Sequence, residues 1–212
     1  EFRQMGACEQ ETTLSAMRRL IDSSALGEVV QIYAQKSYPY HDGRPQDRGV
    51  DGGLIRQAGI HAIRFIHRGT GLRARRVSAT DTGLGNPKEG NLQMAASVWM
   101  ELEGDAIAVL ALNYLNPKGI GYWGNDQLRV HGTAGMMEAV DGFNRTRMVL
   151  GESEPEDIPD VPESYPDFFD TYVDYLLDGT EMPYSTEEDM FALRTVIRAQ
   201  EAADTDSIVE VS

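Results

Sequence analysis

The chain has 212 residues, 41% hydrophobic and 25% charged, which is typical of a globular protein that can bury a substantial core. Its 34 acidic and 19 basic residues give a formal net charge of −15, which disfavours nucleic acid as a partner. The sequence has no run of eighteen apolar residues, so we expect no membrane span. Its N-terminus lacks the basic segment followed by an apolar segment that marks a secretory signal, so we expect no such signal. The single cysteine, Cys8, excludes an internal disulfide. We therefore expect a cytoplasmic protein.

The first third of the chain has the pattern of a helix, a strand, a loop and a second helix. Apolar residues at helical spacing predict a helix over 11–26, with Gly27 as its C-cap. The alternating, β-branched segment 28–38 predicts a strand, and the turn residues of 38–53 predict a loop. A second helix follows over 53–68.

The remaining elements indicate a sheet followed by helices. Two strands are predicted at 92–102 and 106–115, joined by a short turn, and a hairpin is predicted at 126–140. A helix is predicted at 167–179, and Ser185 and Glu188 have capping-box spacing at the start of a last helix. The acidic, proline-containing segment 151–164 predicts a solvated connection. We therefore expect an α+β fold: an open, predominantly antiparallel sheet with helices on one face.

Several familiar functional motifs are absent or misplaced. The segment GTGLRA (69–74) has the glycine spacing of a dinucleotide-binding turn, but it follows a predicted helix and precedes the β-prone RRVSAT, which is the reverse of the required order. The chain has no P-loop, no H-E-x-x-H and no G-x-S-x-G sequence. The sequence thus predicts no nucleotide-binding fold and no metal site. The basic run RARR (73–76) is either solvated or placed beside a carboxylate or phosphate.

The segment DGGLIRQAGIH (51–61) is the most informative part of the sequence. On a helix it places Gln57 and His61 on one polar stripe, which Arg64 and Arg68 continue. A glycine at position 59 allows a neighbouring backbone to approach and so fixes how far His61 projects. A histidine held beside a cleft can exchange a proton near neutral pH, as alcohol oxidation requires. An ordinary solvated helix face is the alternative.

Four segments in order resemble the C-terminal half of the Gfo/Idh/MocA oxidoreductases, a family that includes glucose–fructose oxidoreductase and inositol dehydrogenases. They are LIDSSALGEVVQI, DGGLIRQAGIHAI, DQLRVHGTAGMMEAV and FFDTYVDYLLDGTEMPYSTEEDMFALRTVIRAQEA, and the resemblance extends from about Arg18 to the C-terminus. It implies an α+β domain similar to the C-terminal domain of glyceraldehyde-3-phosphate dehydrogenase. It also implies a homo-oligomer formed through the open sheet, and a sugar, inositol or related polyol as substrate.

The resemblance also implies where the substrate binds. The family's helix has the form G-G-x-x-x-D-x-G-x-H; His61 matches its histidine, the expected catalytic residue, and Gly59 matches its glycine. Gln57 occupies the place of the acid, and an amide can orient an imidazole but cannot raise its basicity as a carboxylate does. The residues expected to bind substrate are Gln57, Lys36, Tyr38, His41, Arg48, Tyr122 and Trp123.

The family's nucleotide-binding Rossmann domain, with its glycine-rich turn and E-K-P lysine, is expected upstream of residue 1. Residues 1–212 are then a single C-terminal substrate-binding and oligomerisation domain. NAD or NADP is expected in the full-length parent, whereas this part alone is expected to bind no cofactor and to be inactive. Two interpretations stay open: this half of a nicotinamide-dependent oxidoreductase, or a binding or scaffold domain that retains the fold without redox activity.

Overall fold

The computed structural model describes residues 11–163, 167–182 and 184–211. The described helices are α1 (Glu11–Asp22), α2 (Arg48–Asp51), α3 (Gly53–Thr70), α4 (Phe168–Asp178) and α5 (Thr186–Thr205). The described strands are β1 (Val29–Ser37), β2 (Ala74–Thr82), β3 (Ala95–Leu102), β4 (Ile107–Asn113), β5 (Gln127–Gly132), β6 (Gly135–Val140), β7 (Arg145–Leu150) and β8 (Val209–Glu210). Cys8 lies outside the described residues.

The described strands form one open sheet in the order β7-β6-β5-β1-β4-β3-β2-β8. Every neighbouring pair is antiparallel except β1 and β4, which run parallel in the centre of the sheet. This arrangement confirms the predicted α+β class with an open, predominantly antiparallel sheet. The parallel pair brings the carboxyl ends of β1 and β4 to the same edge of the sheet.

One face of the sheet is buried because apolar residues alternate along its strands. Ile32 and Ala34 of β1 and Leu110 and Leu112 of β4 are buried on this face, where α3 contacts both strands. Helices α1 and α5 both pack against α3, and α5 also contacts β2, so these helices cover one face of the sheet as predicted. On the opposite face, Tyr33 and its cross-strand neighbours, Arg129 of β5 and Val109 of β4, are partly exposed.

The ends of α4 and α5 follow the sequence signals, whereas α1 ends at Asp22 and not beside the predicted cap Gly27, because the chain turns at Ser24 in the left-handed conformation. The side chain of Asp167 accepts hydrogen bonds from two backbone N–H groups at the start of α4, and Gly179 ends that helix in the left-handed conformation. Ser185 and Glu188 form the predicted capping box of α5. The sequence did not predict α2, β7 or β8. Among the described residues, no helix has the length and apolar character needed to cross a membrane.

Candidate functional site

The candidate site lies at the carboxyl ends of the two parallel strands, on the face that α3 covers. Lys36 continues the helix-facing row of β1 and is buried, and Tyr38 follows two residues later. The backbone N–H of Tyr38 donates to Asn113 at 2.9 Å, which holds the two strand ends together. His61 projects from α3 toward this edge, and its ring meets that of Tyr38 edge-on with centroids 6.4 Å apart.

His61 is half-buried and neutral near neutral pH. Burial, together with the positive charges of Lys36 and Arg64, lowers the pKa of its imidazole to about 4. A neutral imidazole has one nitrogen that accepts a hydrogen bond and one that donates. Neutral His61 can therefore accept a hydrogen bond from a hydroxyl group, but a pKa of about 4 makes it a weaker base near neutral pH than the sequence led us to expect.

Lys36 is held by a buried ion pair with Asp126. Its Nζ lies 2.5 Å from Asp126 Oδ2, and the two residues are only 5% and 1% exposed. The same Nζ lies 4.7 Å from the centroid of the Tyr38 ring. Burial raises the pKa of the Asp126 carboxyl and the Lys36 charge opposes that rise. Asp126 was not among the predicted site residues.

An aromatic wall extends from Tyr38 into solvent. The ring centroids of Tyr38 and Trp123 are 6.2 Å apart, and those of His41 and Trp123 are 6.4 Å apart. The Asn116 side-chain amide fixes the loop that carries this wall by donating to the Trp123 carbonyl at 3.1 Å. Trp123 is 59% exposed, so its indole face is accessible to a ligand.

Three of the predicted substrate-binding residues lie apart from this cluster. Gln57 is exposed, and its amide donates to the Asp51 carbonyl at 2.5 Å instead of orienting His61. Arg48 pairs with Asp204 of α5 at 2.8 Å. Tyr122 lies beside the turn between β6 and β7. The structure thus brings together five of the predicted residues, namely Lys36, Tyr38, His41, His61 and Trp123.

The far end of the polar stripe has a structural role. Arg64 and Arg68 are largely buried and pair with Asp189 of α5 at 3.5 and 3.6 Å, and Arg68 also pairs with Glu11 of α1. The Arg68 guanidinium stacks over the Tyr184 ring, with its Cζ 3.3 Å from the ring centroid. These contacts join α3 to α1 and α5.

Neither a metal centre nor a dinucleotide-binding turn is found in the described part of the chain. No group of three or more His, Cys, Asp or Glu side chains there is arranged to hold a metal ion. The GTGLRA segment lies where α3 ends at Thr70 and β2 begins at Ala74, so a helix precedes it. A strand follows this turn, so the turn lacks the helix N-terminus whose backbone N–H groups bind a pyrophosphate.

Comparisons with known proteins agree with this architecture. A family model described as the GFO/IDH/MocA C-terminal domain matches residues 14–138, which confirms the resemblance seen in the sequence. None of the curated proteins matches the chain.

Solved structures match over nearly the whole chain. A candidate oxidoreductase from Thermotoga maritima is 29% identical with a TM-score of 0.84, and the match covers 94% of this chain and 60% of the Thermotoga chain. An aldose-aldose oxidoreductase from Caulobacter crescentus, complexed with glycerol, is 20% identical with a TM-score of 0.77, and the match covers 95% of this chain and 61% of the Caulobacter chain. An inositol dehydrogenase homologue from Azotobacter vinelandii, complexed with NAD⁺, is 17% identical with a TM-score of 0.73, and the match covers 94% of this chain and 62% of the Azotobacter chain. The chain thus spans about three fifths of the length of these structures.

Proposed function

Because the chain belongs to the Gfo/Idh/MocA C-terminal domain family, we propose that it is the substrate-binding and oligomer-forming part of an NAD- or NADP-dependent oxidoreductase acting on a sugar, an inositol or a related polyol. The observation that carries this proposal is the position of His61, which faces Tyr38 beside a buried lysine and an accessible indole. A Rossmann domain upstream of residue 1 would complete the enzyme. The names of the Caulobacter and Azotobacter neighbours agree with this substrate class.

The geometry gives each of these residues a role toward a hydroxyl-bearing substrate. Neutral His61 accepts a hydrogen bond from the hydroxyl that is oxidised, and would take up its proton as the hydride is lost, since the hydroxyl becomes strongly acidic at that point. Lys36 donates hydrogen bonds to substrate oxygen, and Asp126 fixes its position. The exposed Trp123 indole packs against the apolar C–H surface of the substrate. A nicotinamide held by the upstream domain would accept the hydride.

Ligand titration tests the binding half of this proposal. We expect myo-inositol or D-glucitol to bind the 212-residue chain and His61→Ala to weaken that binding about tenfold or more, as expected for a lost buried hydrogen bond. Arg198→Gln is the matched control, because Arg198 pairs with Glu201 on an exposed part of α5. A chain that binds neither polyol, or whose binding does not change in His61→Ala, contradicts the proposal.

The cofactor part of the proposal has its own test. We expect no micromolar binding of NADH to this chain, because the dinucleotide site is proposed to lie on the upstream domain. Fluorescence titration with NADH measures this directly, and micromolar binding would contradict the proposed division of roles. The full-length parent should oxidise a member of a sugar and polyol panel with NAD⁺ or NADP⁺.

We also propose that the open face of the sheet forms the homo-oligomer interface. The strand register aligns a row across this face from Arg147 through Glu138, Arg129, Tyr33, Val109 and Trp99. Glu138 is 1% exposed between the guanidinium groups of Arg129 and Arg147, at 2.6 Å from each. Light scattering should show an oligomer that Trp99→Glu dissociates; a monomeric parent chain contradicts this part of the proposal.

A binding or scaffold domain without redox activity is the second candidate, and Gln57 favours it. Gln57 replaces the family's acid and bonds to Asp51, so no carboxylate at this position supports His61. The sequence upstream in the parent gene separates the two candidates. A glycine-rich turn and an E-K-P motif support the enzyme, and their absence supports the scaffold.

A further inference from the structure

Four buried hydrogen-bond donors, in the loop after β1 and at the end of β4, have no partner among the described residues. They are the hydroxyls of Tyr40 and Tyr114, Nε of Arg44 and Nε2 of Gln46. Three belong to the loop 38–47, and Tyr114 follows the end of β4 beneath it. Buried polar groups are nearly always hydrogen-bonded, so a group of unpartnered donors indicates a missing acceptor.

Arg44 is the most informative member of this group. Its side chain is 13% exposed and stacks over the Tyr114 ring, with its Cζ 3.8 Å from the ring centroid. Its NH1 lies 3.9 Å from Asp51 Oδ2, which is too far for a hydrogen bond, while Asp51 Oδ1 accepts from the Gly53 N–H at 3.0 Å. Toward the described residues, the guanidinium therefore makes one loose ion pair and no hydrogen bond.

The unpartnered donors adjoin the residue that faces His61. Tyr38 donates to Asn113 and accepts from Asn116 at 3.0 Å, so it lies directly beside the segment that contains Tyr114. Burial raises the pKa of Tyr114 to about 12, so its hydroxyl keeps its proton and can donate. Two of the donors, on Arg44 and Tyr114, thus belong to or contact the segment beside the residue that faces His61.

We propose that Arg44 and Tyr114 form a subsite for a carboxylate group of the substrate. This inference rests on the proposed function and narrows its substrate class to sugar acids and related polyhydroxy acids. Arg44 Nε and the Tyr114 hydroxyl lack acceptors, the Asp51 carboxylate lies beyond hydrogen-bond distance of Arg44, and a carboxylate presents two oxygens in the geometry that a guanidinium fork matches. A neutral polyol leaves the positive charge of Arg44 without a full partner.

Calorimetric titration of the chain with D-gluconate and D-glucitol tests the subsite, because the two probes share a six-carbon polyhydroxy skeleton and differ in the carboxylate. We expect gluconate to bind at least about tenfold more tightly than glucitol, the factor for one charge-assisted hydrogen bond. Arg44→Gln should remove this preference while it leaves glucitol affinity within about twofold. Arg198→Gln is the control for loss of a positive charge.

Tyr114→Phe provides a second readout that does not depend on a change of charge. An unpartnered hydroxyl contributes nothing to the ligand-free chain, so this variant should keep or raise Tm and should weaken gluconate binding several-fold. A lowered Tm with unchanged gluconate affinity means that a buried water satisfies the hydroxyl, which overturns the inference.

The outcomes separate this inference from the proposed function. Suppose that gluconate and glucitol bind with equal affinity, and that His61→Ala weakens this binding whereas Arg44→Gln leaves it unchanged. That result would overturn the carboxylate subsite and leave the polyol function supported. A chain that binds neither probe would overturn both. A gluconate preference that survives in Arg44→Gln would show that the carboxylate binds elsewhere, which also overturns the subsite.

Discussion

Replacing Asp126 with asparagine should destabilise the chain through the lysine that it leaves unpaired. Lys36 Nζ and Asp126 Oδ2 lie 2.5 Å apart and both residues are almost fully buried, so water cannot solvate the lysine charge once the carboxylate is lost. Asparagine has nearly the same shape and keeps one carbonyl oxygen as an acceptor. The substitution therefore removes the charge with little change in packing.

The magnitude follows from the burial of the pair. Removing one partner of a buried ion pair costs about 3–5 kcal/mol of the free energy of unfolding, because the remaining charge stays buried without its counter-charge. We expect Asp126→Asn to lower the free energy of unfolding by about 3–4 kcal/mol, a large part of a typical total.

A double-mutant cycle measured by urea unfolding at pH 7 tests this expectation. Lys36→Met alone should also be costly, because it leaves the Asp126 carboxylate buried without its partner. The double variant should be less destabilised than the sum of the single variants by more than about 1 kcal/mol. Additive effects, or a cost below about 1 kcal/mol for Asp126→Asn, would show that the pair is solvated and would refute the reasoning.

Three further predictions concern protonation, ligand binding and helix capping. Because the pKa of His61 is lowered to about 4, folding excludes a proton that the unfolded chain binds, and stability should fall by up to about 3 kcal/mol as the pH drops from 6.5 toward 4. Urea unfolding at pH 7 and pH 4.5 should show a smaller fall for His61→Gln; His67, whose pKa is also lowered, contributes equally to both chains. Trp123→Ala should weaken polyol binding about threefold to tenfold by calorimetry without changing Tm, since the indole is mostly exposed. Ser185→Ala should cost about 1 kcal/mol in urea unfolding because the Glu188 N–H loses its acceptor, and Ser185→Thr should restore most of it.

Local patterns in the sequence were sufficient to predict most of the fold. The alternation that predicted a strand at 28–38 is the same alternation that buries Ile32 and Ala34 in β1. Lys36 and Tyr38 were predicted from the family resemblance, which places substrate contacts between this strand and the glycines of α3. Asp126 was missed because it meets Lys36 across 90 residues of chain, and no local spacing connects the two. The short β8 pairs only two residues with β2, too few to produce a pattern.

The polar stripe on α3 shows a different limit of periodicity. A period of 3.6 residues identified the side chains that share a face but not what covers that face. Arg64 and Arg68 had the spacing of a solvated surface, yet Asp189 approaches them from α5, more than 120 residues later. Only His61, nearer the start of the helix, faces the candidate site.

The glycines around α3 explain why His61 lies where it does. Gly52 and Gly53 both have positive φ, at 85° and 80°, which lets the chain turn from α2 into α3 within two residues. A Cβ atom at Gly59 would lie 3.2 Å from Val196 Cγ2 and 3.3 Å from Leu112 Cδ1, so α3 is wedged between α5 and β4 at closest approach. A larger side chain there would lift the helix off the sheet and carry the imidazole, two residues on, away from Tyr38. The spacing of glycine and histidine is therefore a distance constraint on the position of the His61 ring.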